Sequence, residues 1–330
     1  MKSRINSVVR TVCFSILLFL SGAAAFAQST TDFQQDLSLA RSGDTAAQLR
    51  VGLAYNRGLV IYGSYAEALR WFQVAAAAGS ADAEAWVGSM YLLGHGVAPD
   101  FDRAYAIESN LAAQNVPTAE LFLGLMYMSG RGVTKDSVRA ANLFRQSQNG
   151  GDARAIDLLG VLYQRGDGVQ QDNTIAEYFY QRAAALGDEW AEVHLGDLYR
   201  KGLLGKRDYG TAFRNYEAAA QLKNLVAEQR LGLMYEKGYG VSKDYHEALK
   251  WYTMSAQRSY SVAQLSLATM YERGRGVQKD TVTAYAWTVL AQRNNDPAAT
   301  PRLEKLRSML TDDQMNQARA LADTLTASQR

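Results

Sequence analysis

The sequence predicts an all-α fold of the solenoid class, built from about seven helix hairpins of 36 residues each. The prediction depends on three columns of residues, each of which recurs every 36 residues without an insertion. The columns are Gly52, Gly88, Gly124, Gly160, Gly196, Gly232 and Ala268; Tyr55, Tyr91, Tyr127, Tyr163, Tyr199, Tyr235 and Tyr271; and Ala68, Ala104, Ala140, Ala176, Ala212, Ala248 and Ala284. Such an array buries one continuous core, so we expect a single domain without linkers.

Residues 1–27 have the layout of a secretory signal peptide. Three basic residues precede an apolar run over 12–20, and Ala25-Phe26-Ala27 ends the segment with small residues. The apolar run is too short for a stable membrane span. We therefore expect a mature exported protein that begins near Gln28, located in the periplasm or fully secreted.

The composition of the mature chain narrows the possible functions. Cys13 is the only cysteine and lies in the signal segment, so the mature chain cannot form disulfides. Removing three basic residues takes Lys and Arg from 35 to 32 against 33 acidic residues, and the formal net charge falls from +2 to −1. A nearly neutral chain has no general attraction to polyanions, so we expect neither nucleic-acid binding nor stable membrane insertion.

The second hairpin illustrates how one repeat is predicted. Apolar residues recur at helical spacing from Ala83 to Leu93, and Gly94 follows where a left-handed cap needs a residue without Cβ. Asp100 suits the N-cap of a second helix. Gly88 and Ala104 are small, so the two helices can approach closely.

Helices of a different kind are predicted at both ends of the array, which spans 47–296. Asp32 to Arg41 lies in phase with a second helix, so 28–46 is predicted as an N-terminal capping half-repeat. Residues 297–330 are predicted to hold two C-terminal capping helices, the second beginning near Thr311.

With these motifs in place, the chain resembles the Sel-1-like repeat family, relatives of the tetratricopeptide repeats. The best matches are Leu123-Gly124-Leu-Met-Tyr127-Met-Ser-Gly130-Arg-Gly132-Val133-Thr-Lys-Asp136 and the equivalent segment 231–244. The resemblance implies a right-handed α/α superhelix whose concave face holds other proteins. It also implies an adaptor in envelope signalling, envelope assembly or contact with a host. The loops at 58–61 and 202–205 depart from the family pattern.

The resemblance also implies which residues bind the partner, because the first helix of a tetratricopeptide hairpin lines the concave side. The lining positions that the resemblance implies lie three residues before, one residue after and four residues after each member of the glycine column. The predicted partner-binding residues are Leu92, Leu121, Leu125, Met128, Gln164, Arg200 and Glu236. The alternative is that Leu121 or Leu125 faces the core through rotation of its helix. On the docking interpretation, Leu125→Glu weakens partner capture and leaves thermal unfolding nearly unchanged.

Catalytic, metal and cofactor sites are not predicted. His95, His194 and His246 fall in three different columns of the repeat, so they do not converge on a metal. The mature chain lacks cysteine and the S-x-x-K motif that β-lactam chemistry uses, which makes that enzymatic alternative the weaker one. Binding of cell-wall glycan is the other alternative, with Tyr239 and Tyr245 as the candidate pair. The interpretation favoured by the sequence is a non-catalytic scaffold that binds a protein or peptide, with no cofactor.

Overall fold

The computed structural model describes residues 30–56 and 64–327, and every regular element in these ranges is an α-helix. The predicted signal peptide and the atypical loop at 58–61 lie outside the described residues. The helices are α1 Thr30–Arg41, α2 Thr45–Asn56, α3 Tyr65–Ala77, α4 Ala81–Leu93, α5 Phe101–Ala112, α6 Pro117–Ser129, α7 Ser137–Asn149, α8 Ala153–Arg165, α9 Asn173–Ala185, α10 Glu189–Lys201, α11 Tyr209–Gln221, α12 Leu225–Lys237, α13 Tyr245–Gln257, α14 Ser261–Arg273, α15 Thr281–Arg293, α16 Ala299–Arg307 and α17 Asp312–Ala327.

These helices form two compact units, with the boundary between Ala191 and Glu192 inside α10. In each unit, most helices pack against the next helix in the sequence, as in an all-α solenoid. The core of the first unit contains Met90, Phe122 and Phe144. The core of the second unit contains Tyr252 and Leu290, and it extends to α16 and α17.

The loop between the two helices of a hairpin is fixed at both ends by its own residues. After α6, Gly130 adopts a φ of 71° and its N–H donates to the carbonyl of Met126 at 2.8 Å. Before α7, the side chain of Asp136 accepts from the N–H of Arg139 at 3.0 Å. The N–H of Asp136 in turn donates to the carbonyl of Tyr127 at 2.9 Å. The caps predicted in the second hairpin are confirmed too, since Gly94 adopts a φ of 73° and the side chain of Asp100 accepts from the N–H of Arg103.

The glycine column packs against an aromatic ring of the second helix. A Cβ at Gly160 would lie only 2.5 Å from Cε1 of Tyr180, so glycine is needed for the ring to fit. The residues that face the glycine column form a further column, which was not predicted from the sequence although it repeats with the same period as the others. Its members are Phe72, Glu108, Phe144, Tyr180, Tyr216, Tyr252 and Thr288. The predicted close approach at the glycine and alanine columns is confirmed, since Ala104 and its counterparts are fully buried.

The second glycine of each loop joins neighbouring repeats. Gly240 has a φ of 72°, and a Cβ there would lie 2.6 Å from the carbonyl carbon of Tyr209 in the preceding hairpin. Beside this contact, the rings of Tyr209 and Tyr239 stack with centroids 4.5 Å apart. The G-x-G pattern therefore serves the stacking of repeats as well as the cap. Over the ranges 30–56 and 64–327, no helix combines the length and apolarity needed to cross a bilayer.

Candidate partner-binding face

Two first helices of adjacent hairpins, α4 and α6, pack directly against each other in the first unit. Helix α4 contacts α6, and the rings of Trp86 and Phe122 meet edge to face with centroids 5.0 Å apart. The guanidinium of Arg154, on α8, lies over Trp86 at 5.3 Å. Side chains of three successive first helices therefore meet in one packed cluster of this unit.

The apolar residues predicted to bind a partner lie in the core of the first unit. Leu92, Leu121, Leu125 and Met128 are each at most 8 % exposed. They pack within the same cluster as Met90 and Phe122. The burial of Leu121 and Leu125 favours the alternative prediction, in which rotation of the helix turns these two side chains toward the core. Contact between these residues and a partner stays a prediction.

Gln164 has its polar contacts inside its own hairpin. Its side-chain oxygen accepts from the hydroxyl of Tyr180 at 2.7 Å, and its carbonyl accepts from Gln171 at 3.0 Å. The side chain is half-buried. Four residues after the glycine column, the second and third hairpins carry the apolar Leu92 and Met128. Gln164 is the first of the polar residues that occupy this column in the following hairpins.

Arg200 belongs to a cluster of charged side chains centred on Asp197. The carboxylate of Asp197 lies 3.0 Å from Arg200 and 2.7 Å from Lys201, and Arg230 on α12 approaches to 3.6 Å. Burial alone would raise the pKa of Asp197, but Arg230, Lys201 and the hydroxyl of Tyr216 together hold that pKa well below its usual range. Asp197 is therefore an anionic centre that gathers three cations.

Glu236 is the centre of a second cluster, formed by the next hairpin. Its carboxylate pairs with Arg275 at 2.8 Å and Lys237 at 3.1 Å, and it accepts from the hydroxyl of Tyr252 at 3.0 Å. Burial opposes ionisation, yet the net effect of these partners is to lower the pKa of Glu236.

A third cluster surrounds Glu272 on α14. The carboxylate pairs with Arg302 at 2.7 Å and Lys305 at 2.6 Å, both on α16. Arg302 also donates to Thr269 at 2.8 Å. Burial again opposes ionisation, and the two cations lower the pKa of Glu272 below its usual range.

We call the three clusters together the ionic face of the second unit. It consists of Asp197, Arg200, Lys201, Arg230, Glu236, Lys237, Glu272, Arg275, Arg302 and Lys305. Of these residues the sequence predicts Arg200 and Glu236, and it does not identify the arginines that pair with the three carboxylates across hairpins. The repeat period could have indicated two of these arginines. Arg230 and Arg302 are 72 residues apart, which is two repeat lengths, so they occupy the same column of the repeat.

The residues considered for the alternative functions have other neighbours. Tyr239 stacks on Tyr209, whereas Lys243 lies over the ring of Tyr245 at 4.6 Å. His95 stacks on Tyr65 with centroids 4.0 Å apart. In the part of the chain that the structure describes, no group of three His, Cys, Asp or Glu side chains is placed to hold a metal ion.

Comparison with known proteins agrees with this architecture. The profile of the Sel1 repeat matches residues 45–80, 81–106, 117–152, 153–188, 191–224, 225–260 and 261–295. No curated protein matches the chain. Among solved structures, a protective antigen of uropathogenic Escherichia coli with an SLR fold is 27 % identical, with a TM-score of 0.64. The match covers 89 % of this chain but only 63 % of the antigen, so the chain spans less than two thirds of that relative.

Two further structures resemble the chain. A Sel1 repeat protein from Oxalobacter formigenes is 33 % identical with a TM-score of 0.62, and the match covers 74 % of this chain and 99 % of that one. Yeast Tom70 is 11 % identical with a TM-score of 0.50, over 99 % of this chain and 72 % of Tom70, which is a likeness of fold alone.

The fold defines a class of protein, the all-α repeat solenoids. Seven matched repeats cover most of the chain. The chain belongs to the Sel1 repeat family.

Proposed function

We propose that the mature chain is an exported, non-catalytic scaffold that binds a protein partner through the face formed by the first helices of its hairpins. The observation that carries the proposal is the ionic face. In the first unit, side chains of the first helices pack into the core, whereas in the second unit the corresponding helices present three charged clusters. Charged side chains on one face of a solenoid can contact a ligand, whereas the side chains of its core columns are buried.

Packing between first helices supports the choice of face. On the inner side of a curved stack, helices lie closer together than on the outer side. Helices α4 and α6 are both first helices and pack directly against each other in the first unit. We therefore place the first helices on the concave side of the superhelix that the family resemblance implies.

Export rests on the layout of residues 1–27. A likeness to a protective antigen agrees with a protein outside the cytoplasm, where it would take part in envelope signalling, envelope assembly or host contact. N-terminal sequencing of the protein purified from the periplasm tests this step. Export predicts a new N-terminus at Gln28, and an intact Met1 on cytoplasmic protein would refute it.

Site-specific crosslinking in intact cells tests the face. A photoreactive residue at Lys237, on α12, would lie on the ionic face, and one at Lys250, on α13, would lie on the second helix of the same hairpin. Both lysines are exposed, so neither replacement disturbs the core. We expect a protein adduct from position 237 and none from position 250. Adducts from position 250 alone would place the partner on the other face, and retention on cell-wall polysaccharide without a protein adduct would favour glycan binding.

A further inference from the structure

Charge is distributed unequally between the two units. Residues 192–330 contain 20 Lys and Arg against 15 Asp and Glu, a formal net charge of +5. Residues 28–191 contain 12 Lys and Arg against 18 Asp and Glu, a net charge of −6. The near neutrality of the whole mature chain therefore hides a basic second unit and an acidic first one. A basic unit attracts acidic ligands.

On the ionic face, the cations outnumber the carboxylates in every cluster. Asp197 gathers three cations, Glu236 two and Glu272 two, so the face carries seven positive groups and three negative ones. The sign of the charge also changes with depth. The three carboxylate side chains are only 11 to 15 % exposed, whereas the three lysines are 43 to 66 % exposed. A ligand that approaches this face therefore meets ammonium and guanidinium groups first.

We propose that the ionic face of the second unit binds an acidic peptide segment of the partner. This inference rests on the proposed function and names the chemistry of the ligand. Each cluster has a surplus of one or two cations, which is the charge that one or two peptide carboxylates neutralise. The clusters belong to successive hairpins and are linked by side chains, since Arg230 on α12 reaches Asp197 on α10 and Arg275, just after α14, reaches Glu236 on α12. A peptide with regularly spaced acidic residues would therefore meet successive clusters.

Fluorescence anisotropy with a defined peptide tests this proposal. The probe is a labelled peptide of four Glu-Gly-Gly units, and its control has Gln in place of every Glu. Both are titrated with the full mature protein at low salt. We expect the Glu peptide to bind with an affinity that falls as salt rises, because exposed charges are screened. We expect the Gln peptide not to bind.

Matched lysine variants separate the ionic face from net charge. The triple variant Lys201→Gln, Lys237→Gln and Lys305→Gln removes the exposed cations of the three clusters. The control triple variant is Lys206→Gln, Lys250→Gln and Lys279→Gln. These three lysines are exposed and lie outside the clusters. Each exposed ion pair is weak and three cations are lost together, so we expect the first variant to bind about tenfold more weakly and the control to bind nearly as the parent does.

Three results would overturn the inference. The first is that the Gln peptide binds as tightly as the Glu peptide, and the second is that both triple variants lose the same affinity for the Glu peptide. The third is salt-dependent self-association of the protein that the first triple variant abolishes. The last result would identify a second copy of the chain as the occupant. If the Glu peptide fails to bind while position 237 still crosslinks to a protein in cells, only the acidic chemistry fails and the proposed function stands.

Discussion

The carboxyl group of Glu108 lies directly against the backbone of Gly88, where most other hairpins place an aromatic ring against the glycine. Glu108 is fully buried, and neither of its oxygens has a hydrogen-bond partner in the described part of the chain. Burial, together with repulsion from Glu84, raises the pKa of Glu108 well above its usual range. The second hairpin thus replaces an apolar ring with an acid that folding favours in its neutral form.

Glu108→Gln is expected to make stability less dependent on pH. A raised pKa in the folded state means that the contribution of Glu108 is fully present below the usual carboxyl pKa and is lost as pH rises through the raised value. The variant should therefore be more stable than the parent at pH 8, by about 1–3 kcal/mol, and closer to it at pH 4. Urea unfolding at several pH values measures this difference, with the exposed Glu217→Gln as control. A difference that does not change with pH would contradict a buried neutral acid.

Two glycines in helices should respond to alanine in opposite directions. At Gly160 a Cβ would lie 2.5 Å from the ring of Tyr180, so Gly160→Ala should cost about 1–3 kcal/mol through overpacking. At Gly210 the nearest atom to a Cβ is 3.5 Å away, so Gly210→Ala should stabilise α11 by up to about 1 kcal/mol. Chemical unfolding of both variants checks the pair. Equal effects of the two changes would mean that the ring of Tyr180 moves aside easily.

The helices and their order follow from the sequence because the small and aromatic columns recur with a constant period. Gly130 and Asp136 can be identified as caps for the same reason, since each depends on local backbone geometry. The direction of a side chain about its helix axis is harder to predict. Leu125 lies one residue after the glycine column, as does Asp197, yet only Leu125 is buried in an apolar cluster.

The ionic face shows what a periodic pattern alone does not reveal. Asp197 and Glu236 could be placed on a polar stretch, but their partners Arg230 and Arg275 come from neighbouring hairpins. Which charges meet depends on the packing of one hairpin on the next. That packing involves the approach of Gly240 to the backbone of Tyr209, a contact between residues distant in sequence.

His95 is expected to stay neutral at pH values where an exposed histidine is largely protonated. Burial lowers the pKa of His95 to about 4, and its ring stacks on Tyr65. Because the folded-state pKa is lowered, the stability from neutral His95 is present above the usual histidine pKa and is lost as pH falls toward 4. An NMR titration of the imidazole measures the pKa directly. Tyr65→Ala should expose the ring and raise the pKa toward 6.5, and an unchanged value in that variant would mean that other groups bury His95.

Leu125→Glu is now expected to damage the fold before it affects any partner. Leu125 is 3 % exposed within the core of the first unit, so the change removes apolar packing and buries a carboxylate. The packing loss alone corresponds to about 2–5 kcal/mol, and the buried charge adds to it. Thermal unfolding followed by circular dichroism should show a large fall in midpoint. Val138→Glu on the adjacent helix α7 is the matched control, because Val138 is 57 % exposed and its replacement should leave the midpoint nearly unchanged. The contrary result would be that Leu125→Glu unfolds at the same temperature as the parent and no longer captures a partner. Leu125 would then belong to the docking surface and would become accessible when the partner binds.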